Sequence, residues 1–360
     1  MDGQQATQRI PTFCPLCVSR CGATATVTDG RFAALHPDPS HPTGQALCVK
    51  GRAAPEITHH DDRLRHPLRR TNPKGAADPG WQRISWDEAL DTVASRLQAI
   101  ADDHGPEAVV FGATSPSTSA MSDTIDWVVR LRRAFGSPNQ CVYMELCGWG
   151  RYLASIPTWG ESVPGEYLPD LDHAGCILFW GYNPSVSRLV HATRTVAALR
   201  RGARLVVVDP RRAGLAGRAD HWLRVRPGTD AALALALTHV MIERGWFDED
   251  FVRRWTNAPL LVRADTGRFL RAHEVLAGGD PAQYVTWDEV AERPVAYEPA
   301  RGHHAVDVAR LALSGERVVA TADGPVACRP VFDLLAQQCR AMEPPVAEAI
   351  TGVPADDIVE

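Results

Sequence analysis

The chain has 360 residues, 45% of them apolar and 22% charged, which is enough material for two or three hydrophobic cores. Its formal net charge of −5 gives no global attraction to nucleic acid or anionic lipid, so neither kind of partner is expected. No apolar run approaches the roughly 18 residues of a membrane span, and the opening MDGQQATQRIPTFC has no basic segment leading into an apolar stretch and no twin arginine, so a cytoplasmic protein is expected.

Of nine cysteines, four fall in the first 48 residues. In a cytosolic chain such crowding reads as metal binding rather than a disulfide framework. Cys14, Cys17 and Cys21 lie within eight residues, and Cys48 is brought back by a loop. Four soft ligands at this spacing suit the corners of a 4Fe-4S cubane. They also suit a structural zinc site, although zinc more often takes paired CxxC knuckles and Cys48 has no cysteine close by. Residues 1–66 are rich in His and Pro and poor in helical periodicity, so this segment needs something beyond its own core to fold. The charged, Pro- and Gly-punctuated stretch 61–80 reads as a crossover between domains.

From Ser85 the pattern changes. Ser85 and Glu88 make a capping-box pattern, and Ala89, Leu90, Val93, Ala94, Leu97 and Ile100 share one helical face, so a helix is expected to about residue 103. AVVFG at 108–112 reads as a strand and 123–135 as an amphipathic helix stopped by Gly136. CVYM at 141–144 and GCILFWG at 175–181 read as strands, 188–201 as a helix ended by Gly202, ARLVVVD at 203–209 as a strand and 230–244 as a helix. The alternation predicts an α/β fold with a mostly parallel, doubly wound sheet covered on both faces, its ligands lying beyond the carboxyl ends of the strands. Residues 257–327 are irregular, with short β-like runs such as VVATAD.

Cys141 and Cys176 lie inside strands and are expected to be buried and structural. Cys147 falls just past a strand, where such a fold exposes its chemistry. Gly181, Tyr182, Asn183 and Pro184 follow another strand: a glycine there lets backbone approach a phosphate, and Asn183 offers an amide to ribose or phosphate oxygens, although such a turn is commonly only a turn. Asp209 ends the next strand, where a carboxylate can accept from ribose hydroxyls, and Arg211 can meet a pyrophosphate bidentately. Pro227, Gly228, Thr229 and Asp230 open a helix, so Thr229 and Asp230 are also ordinary N-capping candidates.

CPLCVSRC at 14–21, LCVKGR at 47–52 and HPLRR at 66–70 closely resemble the opening of the molybdopterin oxidoreductases of the dimethyl-sulfoxide-reductase superfamily, which includes formate dehydrogenases and assimilatory nitrate reductases. The similarity continues in family order through WDEAL at 86–90, WGYNP at 180–184, VVVDPRR at 206–212 and RPGTDAALALAL at 226–237. The resemblance implies a 4Fe-4S cluster on Cys14, Cys17, Cys21 and Cys48, and a bis(molybdopterin guanine dinucleotide) cofactor carrying molybdenum or tungsten. Lys50 matches a lysine between cluster and pterin, and Cys147 matches the ligand of the molybdenum. Gly181, Tyr182, Asn183, Asp209, Arg211, Gly228 and Thr229 match the dinucleotide grips, and Asp230 the acid that accepts the two N–H groups of guanine.

The same resemblance implies a 4Fe-4S domain at 1–66 and a cofactor-binding α/β region at 67–360, with 67–140 and 330–360 in one lobe and 141–330 in the other, truncated before the usual C-terminal β-rich domain with which relatives continue. The implied activity is two-electron oxidation or reduction of a small-molecule substrate, with electrons relayed through the cluster to a ferredoxin-like carrier or another redox subunit. Gly148 stands where formate dehydrogenases carry a histidine, which speaks against formate. Trp149, Arg151 and Tyr152 either line a substrate funnel or form an ordinary helix face. Two alternatives remain: a non-catalytic iron-sulfur scaffold of the same fold, against which Cys147 and the nucleotide grips argue, and a fragment of a truncated or split enzyme.

Overall fold

The computed structural model describes residues 6–17, 19–112, 125–141, 149–160, 168–298, 303–304 and 306–360. Its contacts divide the chain into one unit of residues 1–177 with 182–205 and another of 178–181 with 206–360.

In the first unit the amino-terminal segment forms three antiparallel strands in sequence order, Thr7–Phe13, Gly22–Thr28 and Arg31–Pro37. Asp29 and Gly30, both at positive φ, make the tight turn between the second and third. The Cys14 amide donates to the Cys21 carbonyl at 2.8 Å, so the loop joining the first two strands carries three of the cysteines. Cys48 immediately precedes the short helix Val49–Arg52, which leads into Ala54–His59. Cys14 and Cys21 are buried together with Ala23, Leu35, Leu47, Ala54 and Val190, so these thiols are part of the segment's core.

The helix Trp86–His104 starts as its sequence requires, with Ser85 Oγ accepting from the Glu88 amide at 3.0 Å, and ends at Gly105. None of its residues is buried, and Trp86, Leu90 and Val93 stand exposed. The run AVVFG is mostly not strand. Pro106, which lacks an amide donor, opens a 3-10 turn over Pro106–Ala108, leaving Phe111–Gly112 to pair in parallel with Gln140–Cys141. The helix Ile125–Phe135 stops at Gly136 with φ +90°. Residues 142–148, Cys147 among them, lie outside the described residues.

A three-stranded sheet places Arg204–Val208 between Cys176–Trp180 and His221–Leu223. The Arg204 amide donates to Gly175 O at 2.9 Å and the Gly181 amide to Val208 O at 2.8 Å, so the first two strands run in the same direction. The third is parallel to the middle one. Along Cys176–Trp180 exposure alternates, with Ile177 and Phe179 buried and Cys176 and Leu178 exposed. Cys141 is exposed too. The expectation that these two cysteines are buried is therefore corrected: strand residues point to alternate faces and Cys176 takes the uncovered one, while Cys141 lies in a two-residue strand exposed at both positions.

In the second unit Val208, Leu223 and Val225 pack against Leu233, Ala236 and Val240 of the helix Asp230–Glu243 and against Ala347, Val353 and Ile358. The closing helices Val331–Arg340, Pro344–Thr351 and Ala355–Val359 thus group with residues 206–330, whereas the sequence placed 330–360 with 67–140. The stretch expected to be irregular forms two antiparallel three-stranded sheets. One is Leu261–Arg263, Gly324–Pro330 and Arg317–Thr321, the other Val285–Asp288, Arg293–Glu298 and His303–His304. Fully buried Asp288 accepts from the Val290 and Ala291 amides and pairs with Arg310, which satisfies a carboxylate that would otherwise be costly to bury. Among the described residues no helix is long and apolar enough to cross a membrane.

Leu233 is fully buried. Leu233→Ala should lower the unfolding free energy by about 2–5 kcal/mol. Met241→Ala, 47% exposed on the same helix, should change it by no more than about 0.5 kcal/mol. Urea denaturation followed by circular dichroism checks both, and equal losses would contradict the packing described.

Candidate cofactor site

Cys14, Cys17, Cys21 and Cys48 line one pocket of about 200 Å³. Leu16 and Leu47 give it an apolar wall, Lys50 borders it from the first turn after Cys48, and Ser185, Val186, Ser187 and Leu189 close another side. The cysteine loop is shaped by backbone bonds. The Arg20 amide donates to Cys17 O at 3.2 Å, Thr43 Oγ1 donates to Arg20 O at 2.6 Å, and Arg20 is held at φ +42°. All four cysteines are free thiols.

Burial pushes the Cys14 thiol up. The Leu16 amide and Lys50 oppose that rise, while Cys17 and Cys48 add to it. Cys21 is pushed up to about 11, first by burial and then by Cys17, Cys14 and Cys48. Four thiolates in one half-apolar pocket repel one another, so the donor set fits a cationic centre that compensates them. Among the described residues, however, no three His, Cys, Asp or Glu side chains converge as ligands of a single metal ion. Thiols spread around a shared pocket suit a polynuclear centre with volume of its own better than one zinc ion.

In the same unit Tyr182 and Asn183 lead into the short helix Pro184–Ser187. Asn183 Oδ1 caps it by accepting from the Ser185 amide at 3.2 Å. The Tyr182 hydroxyl lies 2.8 Å from Nδ1 of buried His191, so the grip expected of this tyrosine is directed inward. Burial first, then Arg188 and Arg194, hold His191 down at about 4. Its imidazole is neutral at pH 7, and Nδ1 can accept from the phenol, which burial keeps protonated. Neither His191 nor Ser187 was singled out from the sequence; their partners are distant side chains or backbone that no local pattern announces.

In the second unit the expected grips follow the strand ends. Gly181 and Gly228 adopt φ +57° and +85°, and a Cβ at either would meet nothing within 4 Å, so it is backbone conformation rather than crowding that calls for glycine. Asp209 Oδ1 accepts from the Arg211 amide at 2.7 Å, and the Arg211 side chain is exposed. Thr229 occupies the N-cap position but does not cap: its hydroxyl donates to Arg226 O at 2.7 Å. Asp230 accepts from Trp180 Nε1 at 2.7 Å, a partner the sequence did not suggest. The bond aims the carboxylate and leaves one oxygen for another donor. Trp149, Arg151 and Tyr152 lie in the first turn of the helix Trp149–Trp159.

Residues 63–345 match the family model described as molybdopterin oxidoreductase, and residues 7–60 match that of the molybdopterin oxidoreductase Fe4S4 domain. The chain belongs to the molybdopterin oxidoreductase family. Its place in this enzyme family implies a 4Fe-4S cluster and a molybdopterin cofactor with molybdenum or tungsten. This molybdopterin oxidoreductase chain is 31% identical over 309 residues to a dopamine dehydroxylase of Eggerthella lenta, covering 80% of this chain and 30% of that protein. To a sulfite dehydrogenase subunit from Allochromatium vinosum it is 31% identical over 365 residues, 96% of this chain and 35% of that one. The chain thus spans about a third of the length of the curated relatives it matches. The solved acetylene hydratase from Pelobacter acetylenicus shares the fold, with a TM-score of 0.61 at 23% identity over 97% of this chain and 37% of that one.

Because His191 titrates at about 4 when folded and near 6.5 when exposed, the unfolded chain takes up the proton first. The stability this residue contributes is complete above pH 6.5 and is lost as the pH falls toward 4. Denaturant unfolding across that window should show a steeper loss for the native sequence than for His191→Gln. Parallel profiles would contradict the buried neutral pair.

Proposed function

We propose that this chain is the cofactor-holding part of a molybdenum- or tungsten-pterin oxidoreductase that performs a two-electron oxidation or reduction of a small molecule. The observation that carries the reading is the shared pocket of Cys14, Cys17, Cys21 and Cys48 with Lys50 at its border. When bound, the pterin metal supplies the two-electron chemistry and the cluster passes electrons one at a time.

The four cysteines hold the cluster, and the Lys50 ammonium favours its more negative, reduced state. Asn183, Asp209 and Arg211 hold ribose and phosphate oxygens, Gly181 and Gly228 give the backbone its approach, and Asp230 accepts from guanine. Thr229 steadies the turn before Asp230 through Arg226 O. Cys147, by its position in the sequence, is the ligand to molybdenum or tungsten. The outside partner is a ferredoxin-like carrier or another redox subunit, in keeping with relatives named as subunits. The names of relatives span a dehydroxylase, a sulfite dehydrogenase, a perchlorate reductase and an acetylene hydratase. The proposal therefore stops at the reaction class. Nothing in the pocket favours the electron-transfer scaffold, which has no use for nucleotide grips.

Anaerobically purified protein should contain iron and sulfide in equal amounts, about four of each per chain, with molybdenum or tungsten and releasable pterin. Cys17→Ala should abolish the brown absorption and destabilise the first 66 residues. Zinc in place of iron, with no pterin, would overturn the proposal.

A further inference from the structure

The wall of the cysteine pocket formed by residues 185–189 is tied to the cysteine loop by a bond across 168 residues of sequence: Ser19 Oγ donates to Ser187 O at 2.7 Å. Both ends of this bond are held. On the loop side, Arg20 follows Ser19 at φ +42°, a conformation that most side chains avoid, and Thr43 Oγ1 pins its carbonyl at 2.6 Å. On the wall side, the Ser187 amide and hydroxyl both bond to Asn183 O, at 3.2 and 2.9 Å, and the Arg188 amide bonds to Pro184 O at 2.9 Å. The acceptor carbonyl is therefore a fixed point of a closed turn. Tyr182, just before that turn, is anchored in turn on buried His191.

Ser19 donates to a carbonyl, so it is not itself spending its proton on a cluster sulfur. What its bond does is hold the loop against the wall at the pocket's rim, beside thiols whose surroundings include Leu47 and Leu189. Water admitted there would solvate the extra negative charge of the reduced cluster and raise its potential, because solvent exposure is one of the determinants of cluster potential. It would also give chelators access to the iron.

We propose that Ser19 is a positioning residue whose hydroxyl latches the cysteine loop onto the Ser187 carbonyl, keeping the cluster pocket dry. This rests on the cysteines being cluster ligands, as proposed above.

Ser19→Ala and Ser19→Thr are made in the full chain, purified anaerobically, and compared with the native sequence by redox titration of the cluster's electron paramagnetic resonance signal and by iron release to a chelator. Ser19→Ala should raise the midpoint potential and speed iron loss roughly fivefold, the factor expected for about one net hydrogen bond. Ser19→Thr, which keeps the hydroxyl, should restore both, and that rescue supports the latch even if Ser19→Ala retains no cluster at all. Native potential and release in Ser19→Ala, or Thr behaving like Ala, would overturn the latch while leaving the cluster in place. A native chain without iron and sulfide would instead remove the cluster assignment, and the latch with it.

Discussion

The constraint on which the rest of the first unit depends is the cost of ionising sulfurs confined to one pocket. At Cys14 and Cys21 burial opposes ionisation first, and the neighbouring cysteines add to it. Held there as bare thiolates, they would oppose compaction. A cationic centre reverses the sign, so that the same proximity becomes the source of cohesion. Metal binding then counts directly as folding free energy, because the ligand geometry does not exist in the unfolded chain. This explains how a segment whose core is made of Ala23, Leu35, Leu47, Ala54 and two cysteines can hold three strands and two short helices together.

That compensation needs the sulfurs held at separate corners, and the backbone does this with few apolar contacts. The Cys14 to Cys21 bond closes the loop, Thr43 fixes its far end, and Arg52 Nε donates to Leu47 O across the short helix that follows Cys48. Elsewhere the candidate grips show a second economy. Asp209, Asn183 and Asp230 each use one acceptor to hold local structure and keep the rest of the side chain for another partner. A carboxylate already aimed by an indole N–H loses less freedom when a second donor arrives, which favours binding without any added contact.

What was legible in the sequence is what depends on neighbours a few residues away. The Ser85 cap, the stop at Gly136, the strand ending at Trp180 and the helix starting at Asp230 all come from spacings within one turn or one strand. Cysteine spacing was legible for the same reason. Facts that depend on what covers a surface were not. Period 3.6 correctly gave the helix Trp86–His104, but an apolar face says nothing about whether a partner lies on it, and here the face is open among the described residues. Cys141 and Cys176 sat in apolar strands yet took the outward positions. Between 261 and 330 β-like runs such as VVATAD were legible, but not the antiparallel sheets they build, because a partner such as that of Leu261–Arg263, at 328–330, lies tens of residues away and leaves no local signal. Tyr182 turned inward to a histidine nine positions on, and Ser19 found an acceptor 168 positions away.

Relatives about 30% identical over the same stretch carry names for quite different reactions. What the family models match in this chain is the Fe4S4 domain and the molybdopterin oxidoreductase domain. The physical division follows from the chemistry. Binding a dinucleotide and four sulfurs fixes many atoms in one geometry, and small changes there disturb every reaction alike, whereas a side chain facing the reacting atom affects only one. Cys147 and Gly148 both lie outside the described residues; in the sequence Gly148, next to Cys147, stands where the resemblance to formate dehydrogenases leads one to expect a histidine.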